Sequence, residues 1–198
     1  MELIYSEYEK DYDVEILQTI PVSGADYIFR REPDHGISKN QLNLEIPTNL
    51  SDWLLLKINY NKGKSWVGIF EPGPEGISKL FTTPSKMTLC VVLKGQGYWV
   101  PIGSPKAFEV VCSLPIKEVI AVPKGDKMIF VDYVRIAAYG ESGFLWQTNS
   151  LSWDGLKIIK VTSTKISGIA WDAPNNKEVD FFVNIENGAS EGGASPEN

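Results

Sequence analysis

The chain of 198 residues has one histidine and two cysteines, and this scarcity argues against several kinds of site. Structural and catalytic zinc sites take most of their ligands from histidine and cysteine. Cys90 and Cys112 form no Cys-x-x-Cys pair, and His35 is the only imidazole that could join them. The sequence therefore predicts neither a metal centre nor a cofactor. Both thiols are expected inside apolar strands, and the sequence leaves open whether they form a disulfide.

Basic charge is also scarce, because 19 lysines and arginines face 25 aspartates and glutamates, which gives a net charge of −6. Proteins that bind nucleic acid need cationic side chains to displace phosphate counterions. The composition therefore argues against a nucleic-acid partner. No apolar run approaches the roughly 20 residues that cross a bilayer, and the N-terminus lacks the charged-then-apolar order of a signal peptide. We therefore expect a cytoplasmic protein without a membrane partner.

Turn-forming residues, by contrast, are frequent: 17 glycines and 12 prolines separate short runs of β-branched and aromatic residues. This spacing is typical of sandwiches and barrels. The sequence predicts an all-β fold of antiparallel meanders, either a β-sandwich or two packed blade-like sheets. The N-terminal segment up to Gln18 is compatible with a short helix and equally with a strand.

The glycines and prolines also divide the chain. We predict strands over 26–29, 53–60, 65–70, 87–93, 98–100, 108–112, 116–122, 128–133, 135–139, 144–147, 157–162, 165–171 and 179–185. The Asn61–Lys64 stretch is predicted as a hairpin loop with a left-handed glycine. The stretches 30–49 and 71–85 are predicted as irregular loops and as candidate functional loops. The predicted parts are an N-terminal extension (1–50), an antiparallel β domain (51–186) and a flexible tail (187–198) that buries too little apolar surface to order itself.

The last third of the chain has a further pattern, in which "DGLKIIKV", "KISGIAWD" and "EVDFFVNI" predict a three-stranded meander. Such meanders are the blades that β-propellers repeat. The turns of this region, at 138–140, 143–146, 151–155, 168–174 and 187–188, resemble those of a family of uncharacterised bacterial proteins with all-β folds and propeller-blade-like turns. The resemblance implies an all-β fold and supplies no activity and no catalytic residue.

Two Trp-Asp pairs are the candidate binding residues: Trp153 with Asp154, and Trp171 with Asp172. Indole rings stack on sugar rings, and carboxylates accept hydrogen bonds from sugar hydroxyls. The structural alternative is that each aspartate accepts hydrogen bonds from its own turn backbone, while the indoles cover the sheet ends. His35, which follows Asp34, is a candidate general base or a solvated loop residue. No Gly-x-Ser-x-Gly nucleophile motif is present.

Two functions from different classes follow from these observations. The first is a non-enzymatic protein-binding module of the immunity or inhibitor kind, whose acidic surface meets a basic protein partner. The second is a carbohydrate-binding or carbohydrate-hydrolysing β-sandwich that uses Trp153, Asp154, Trp171 and Asp172. This second function requires the four side chains to converge on one open cleft.

Overall fold

The structure, a computed structural model, describes residues 8–31, 37–38, 46 and 48–194. Within these ranges the regular elements are strands and two single-turn 3₁₀ segments, Pro105–Ala107 and Pro123–Gly125, which confirms the all-β prediction. The described residues include no helix long and apolar enough to cross a membrane.

Most strands lie within a residue or two of the predicted ranges. They are β1 (Tyr12–Leu17), β2 (Tyr27–Phe29), β3 (Ile37–Ser38), β4 (Leu54–Tyr60), β5 (Lys64–Phe70), β6 (Lys79–Thr82), β7 (Thr88–Leu93), β8 (Gln96–Pro101), β9 (Glu109–Val110), β10 (Glu118–Val122), β11 (Lys127–Val131), β12 (Ile136–Gly140), β13 (Gly143–Gln147), β14 (Leu156–Val161), β15 (Lys165–Asp172), β16 (Lys177–Asn184) and β17 (Ser190–Gly192). In the described part of the N-terminal stretch that was compatible with helix or strand, the regular element is the strand β1. Strands β3 and β6 lie inside the stretches that were predicted as irregular loops.

These strands form four sheets, and the chain completes each sheet before it begins the next. The first sheet has the strand order β1-β4-β5-β2-β3, and the other three follow chain order as β6-β7-β8-β9, β10-β11-β12-β13 and β14-β15-β16-β17. The last three are antiparallel meanders, as predicted. In the first sheet β2 pairs in parallel with β5, which is the exception to the antiparallel pattern.

The chain divides into two compact units, Met1–Val111 with the first two sheets and Cys112–Asn198 with the last two. The sequence had placed a boundary at residue 50. However, β1 and β2 of the predicted extension pair with β4 and β5 and complete the first sheet. Pairing between strands that are distant in sequence leaves no local mark in composition, so the sequence pattern could not reveal it.

Two hairpin turns use left-handed backbone. Asn61, Lys62 and Gly63 join β4 to β5 with φ values of 41°, 41° and 106°, which confirms the predicted loop. Lys94 and Gly95 join β7 to β8 with φ values of 46° and 76°. Positive φ at both central residues is the signature of the type I′ turn, whose twist matches that of the strands.

The centre of the first sheet is buried on both faces. On one face Leu56 and Ile58 pack with residues of the second sheet such as Tyr98, and Phe29 stacks on Phe70 with ring centroids 4.3 Å apart. On the other face a smaller cluster includes Leu55 and residues of β2 and β5, with side chains from the flanking loops packed against it. The central strands of this sheet are therefore apolar at consecutive positions, as fully buried strands are.

In the second unit the third and fourth sheets share one core. Ile129 and Trp146 of the third sheet belong to the same buried cluster as Ile166 and Phe181 of the fourth. The Trp146 Nε1 donates a hydrogen bond to the carbonyl of Ile185 at 2.9 Å. The fourth sheet turns only one face to this core. Its other face, the outer face, includes side chains exposed to solvent.

Trp66, Trp99 and Trp146 are all buried. The cysteines are both free thiols, and the prediction of burial holds for one of them. Cys90 is buried in β7, where desolvation raises its pKa. Cys112 is exposed and lies beyond the end of β9 at Val110. The prediction was wrong for this residue, although partial desolvation still raises the pKa of its thiol.

Part of the segment predicted as a flexible tail forms an edge strand. Ser190–Gly192 pairs as β17 with β16. The N–H groups of Gly193 and Ala194 then donate to the carbonyls of Asp180 at 2.9 Å and Leu151 at 2.8 Å. Backbone hydrogen bonds require no apolar side chains, so a small polar segment with no core of its own can extend a sheet that already exists. Residues 195–198 of the predicted tail lie outside the described residues.

Candidate functional site

The turn at Leu151–Gly155 is held against β15 by one buried hydroxyl. Ser152 Oγ lies 2.8 Å from the carbonyl oxygen of Gly155 and 3.1 Å from that of Trp171, and it accepts a hydrogen bond from the Trp171 N–H at 3.0 Å. The Trp153 N–H donates to the Trp171 carbonyl at 3.1 Å. Gly155 has a φ of +118°, which favours glycine there. These bonds place the two Trp-Asp pairs side by side.

The four side chains of these pairs nevertheless diverge. The Trp153 side chain is 42% exposed, whereas Asp172 is only 8% exposed and its Oδ2 accepts a hydrogen bond from Asn175 Nδ2 at 2.7 Å. A shallow cleft of about 300 Å³ is lined by Asp154 and Trp171, but not by Trp153 or Asp172. The structure thus brings together one carboxylate and one indole of the predicted set. His35 lies outside the described residues.

The cleft is one end of the outer face of the fourth sheet. Alternate residues of a strand point to opposite faces, and the register between strands shows which residues share this face. The outer face consists of Lys157, Lys160, Lys165, Ser167, Ile169, Trp171, Glu178, Asp180, Phe182, Asn184 and Glu191. The residues between them on β15 and β16, such as Ile166 and Phe181, belong to the core.

An apolar strip runs along the two central strands of the outer face. Ile169, Trp171 and Phe182 are each partly exposed there. Ile159, at an irregularity in β14, is 57% exposed. The Lys165 Nζ lies 3.6 Å from the centroid of the Phe182 ring, which is the distance of a close cation–π contact. These residues give the face aromatic and aliphatic surface between its charged margins.

Two depressions mark opposite ends of this strip. The first is the 300 Å³ cleft, which Lys157 and Glu178 line together with Trp171. The second, of about 460 Å³, is lined by Lys165, Phe182 and Glu191 among others. Each depression therefore combines one aromatic ring, one ammonium group and at least one carboxylate. Such a combination can receive a side chain that is part apolar and part charged.

The charges of the outer face are sorted by strand. The three lysines, Lys157, Lys160 and Lys165, lie on β14 and β15, and the three carboxylates, Glu178, Asp180 and Glu191, lie on β16 and β17. In the part of the chain that the structure describes, the ion pairs involve other side chains. The outer face thus has a basic half and an acidic half whose charges do not neutralise each other by direct contact.

The free edge of β14 is poorly suited to pair with an additional strand. The register of β14 against β15 shifts between Ile158 and Lys160. Bulges and lysines on an edge strand are common devices against edge-to-edge pairing. Because the edge is blocked in this way, the face of the sheet is the better candidate for recognition.

Sequence reasoning found Trp171 and Asp154 but missed most of this face. The signal was present in "KISGIAWD", where buried and exposed positions alternate along β15. Which charged residues accompany the exposed positions depends on the pairing of four strands, and a local motif does not contain that register. In the described residues, no group of three or more histidine, cysteine, aspartate or glutamate side chains is placed to hold a metal ion.

Comparisons with known proteins give no family. No family model and no curated protein matches the chain. Among solved structures, the chain is similar to a chain in a complex from S. cerevisiae that contains a Dbp5 variant bound to Nup159, a Gle1 variant, IP6 and ADP. The sequence identity is 11%, the TM-score is 0.37, and the match covers 99% of this chain and 54% of the other. This likeness is too weak to assign a fold family or a function.

Proposed function

We propose that the chain is a non-enzymatic protein-binding module whose interface is the outer face of the fourth sheet. The observation that supports this proposal is the apolar strip of Ile169, Trp171 and Phe182, which remains partly exposed on a regular antiparallel sheet. Aromatic residues are enriched among the residues that dominate binding energy at protein interfaces. A sheet face also presents them with little conformational freedom to lose on binding.

The sorted charges define what a partner should carry. A protein that lies across the face must place acidic groups over Lys157 and Lys160 and basic groups over Glu178 and Asp180. Complementary charge of this kind fixes orientation and accelerates association more than it adds affinity. An immunity-like or inhibitor-like role is the finer form of the proposal, in which the acidic half meets a basic effector protein.

The carbohydrate hypothesis has narrower support. It required four side chains around one cleft, and two of them, Asp154 and Trp171, line the cleft that the structure contains. Asp172 instead accepts a hydrogen bond from the side chain of Asn175 in its own turn, whereas the structural alternative expected bonds from the turn backbone. A protein partner accounts for the whole outer face, whereas a sugar accounts for one end of it.

Site-specific photocrosslinking tests the proposal. A photoreactive amino acid at Ile169 samples the outer face, and the same amino acid at the fully exposed Val22 is the control. In an extract of the source organism, the Ile169 probe should yield a discrete protein adduct that the Val22 probe does not yield. Excess unlabelled chain should suppress this adduct, and a Trp171→Ala/Phe182→Ala chain should not. Equal adducts from the two positions, or none from Ile169, would contradict the proposal.

A further inference from the structure

We propose that the outer face of the fourth sheet also binds the outer face of a second copy of this chain, which gives a two-fold symmetric dimer. This inference rests on the proposed function, because it names a partner for the same face. The observation behind it is the order of charge across the sheet, with lysines on β14 and β15 and carboxylates on β16 and β17. A face with this order is complementary to itself.

The symmetry follows from the strand order. A two-fold axis that runs parallel to the strands, between β15 and β16, places β14 of one copy over β17 of the other and β15 over β16. Lys160, Ser167, Phe182 and Glu191 form one cross-strand row. The axis therefore places Lys160 of one copy opposite Glu191 of the other, and symmetry gives two such pairs in the dimer.

The same operation brings the apolar strips together. Phe182 of one copy lies opposite Ser167 of the other, and Ile169 is the next outer-facing residue along that strand. Outer-facing neighbours along a strand are about 6.6 Å apart, which is within the reach of a phenyl ring. Phe182 can therefore pack against Ile169 of the second copy, while Lys160 and Glu191 pair at the margins and Asp180 lies opposite Ile169.

The alternative stacking is disfavoured by charge. A two-fold axis perpendicular to the strands would place β14 over β14 and β17 over β17. Lys157 and Lys160 would then face the same lysines, and Glu191 would face Glu191. Like charges that face each other across an interface oppose association, so the charge order selects one of the two symmetric arrangements.

The size of the face predicts a reversible dimer. The four strands are about 4.8 Å apart and contain six, eight, eight and three residues that rise about 3.3 Å each, so the face covers roughly 400 Å². Two such faces bury about 800 Å² in total, which is the size of a weak, transient contact. We therefore expect association at high micromolar concentrations, with a marked loss when salt screens the charges.

Charge reversal in sedimentation experiments on the full chain tests this inference. The first variant, Lys157→Glu/Lys160→Glu, has an acidic face, and the second, Glu178→Lys/Glu191→Lys, has a basic one. The wild-type chain of 22.0 kDa should double its weight-average mass as concentration rises. Each variant alone should stay at the mass of one chain, because its two halves carry the same sign. An equimolar mixture of the two variants should recover the doubled mass.

The control is Lys62→Glu/Lys64→Glu, which makes the same change of charge at the exposed end of the β4–β5 hairpin. It should dimerise as the wild type does, and circular dichroism should show all variants folded. The inference is overturned by a wild type that remains monomeric at the highest concentration reached. It is equally overturned if either charge-reversed variant alone still dimerises, or if an equimolar mixture of the two folded variants fails to associate.

Dimerisation and partner recognition can fail separately. A monomeric wild type that still yields the competed Ile169 adduct with another protein would reject the dimer and support the proposed function. Charge-dependent dimerisation with no face-dependent adduct to another protein would reject heterologous recognition and support the dimer. The crosslinking experiment is therefore run with isotope-labelled chain, so that adducts between two copies are distinguished by mass from adducts to other proteins.

Discussion

The first and fourth sheets are built from strands of similar length. The centre of the first sheet is buried on both faces, whereas the fourth sheet is buried on one face. In β4 the consecutive residues Leu54, Leu55 and Leu56 are all buried. In β16 the consecutive residues Phe181 and Phe182 differ, because Phe181 lies in the core and Phe182 lies on the outer face. The strand pattern thus distinguishes a sheet that buries both faces on folding from a sheet that leaves one face accessible to a partner.

Under the proposed function, this difference matters more than the loops do. Loops are the usual location of binding residues, and the sequence pointed to 30–49 and 71–85 for that reason. The second of these stretches includes β6, which pairs with β7 in the second sheet. A partly exposed aromatic surface lies instead on β15 and β16, on a regular sheet. A sheet that packs one face against the core can therefore present its other face to a binding partner, while the buried face holds the sheet in place.

The sharpest test compares the two neighbouring phenylalanines of β16. Phe181→Ala should lower the free energy of unfolding by about 3–5 kcal/mol, because it leaves a cavity in the core shared by the third and fourth sheets. Phe182→Ala should lower it by about 1 kcal/mol or less, since it removes a partly exposed ring and one cation–π contact. Urea denaturation at low micromolar concentration measures both values.

If Phe182→Ala lowered the free energy of unfolding as much as Phe181→Ala does, the outer face would be a structural element. The comparison between the sheets would then no longer hold. Crosslinking by the Ile169 probe should show the opposite order, with partner capture sensitive to Phe182 and insensitive to Phe181. There Phe182→Ala should reduce capture of the partner. A matched Phe181→Leu chain, which is predicted to remain folded, should capture it as the wild type does.

The equivalent experiment in the first sheet should show no such asymmetry. Leu55→Ala and Leu56→Ala alter neighbouring buried residues on opposite faces of β4. Each should lower the free energy of unfolding by about 2–5 kcal/mol, because each leaves a cavity in a packed cluster. Urea titrations of the two variants check this. A loss below about 1 kcal/mol at either position would show that one face of the first sheet is not a true core.

The contrast also explains which features the sequence could predict. Strands β4, β5, β7 and β14–β16 were predicted within two residues, since apolar runs and turn residues record local geometry. The Asn61–Gly63 turn was predicted for the same reason, because its left-handed backbone favours particular residues. By contrast, β1 and β2 join the first sheet through pairing with strands far along the chain. No local pattern contains that information.

The candidate site was predictable only in part, for a related physical reason. Trp171 and Asp154 were identified as residues at strand ends, and they do line one cleft. Their partners on the outer face, such as Glu178 and Glu191, are brought to them by the register of β15, β16 and β17. A charge in the sequence acquires its neighbours through strand pairing, so the separation into basic and acidic halves appears only after the sheet is assembled.

Removal of one buried hydroxyl tests how the outer face depends on the turn beneath it. Ser152→Ala should lower the free energy of unfolding by about 0.5–1.5 kcal/mol, the net contribution of one hydrogen bond, because the Trp171 N–H and the two nearby carbonyls lose the hydroxyl but keep their backbone hydrogen bonds. Ser152 is fully buried, and water cannot readily replace the hydroxyl. Thermal denaturation measures the loss. Thr83→Val, which removes a buried hydroxyl in the first unit, is the control that should leave partner capture at Ile169 unchanged.

The smallest expected effect concerns the contact between Lys165 and Phe182. A double-mutant cycle with Lys165→Met and Phe182→Leu should give a coupling of about 0.5–1 kcal/mol, the magnitude of a cation–π pair at an exposed site. Methionine and leucine retain most of the apolar contact, so the cycle isolates the interaction of the charge with the ring. A coupling above about 2 kcal/mol, the range of desolvated pairs, would show that this part of the outer face is built for stability. A coupling in the lower range leaves Phe182 free to exchange the ammonium group of Lys165 for a surface on a partner, which is what distinguishes the fourth sheet from the first.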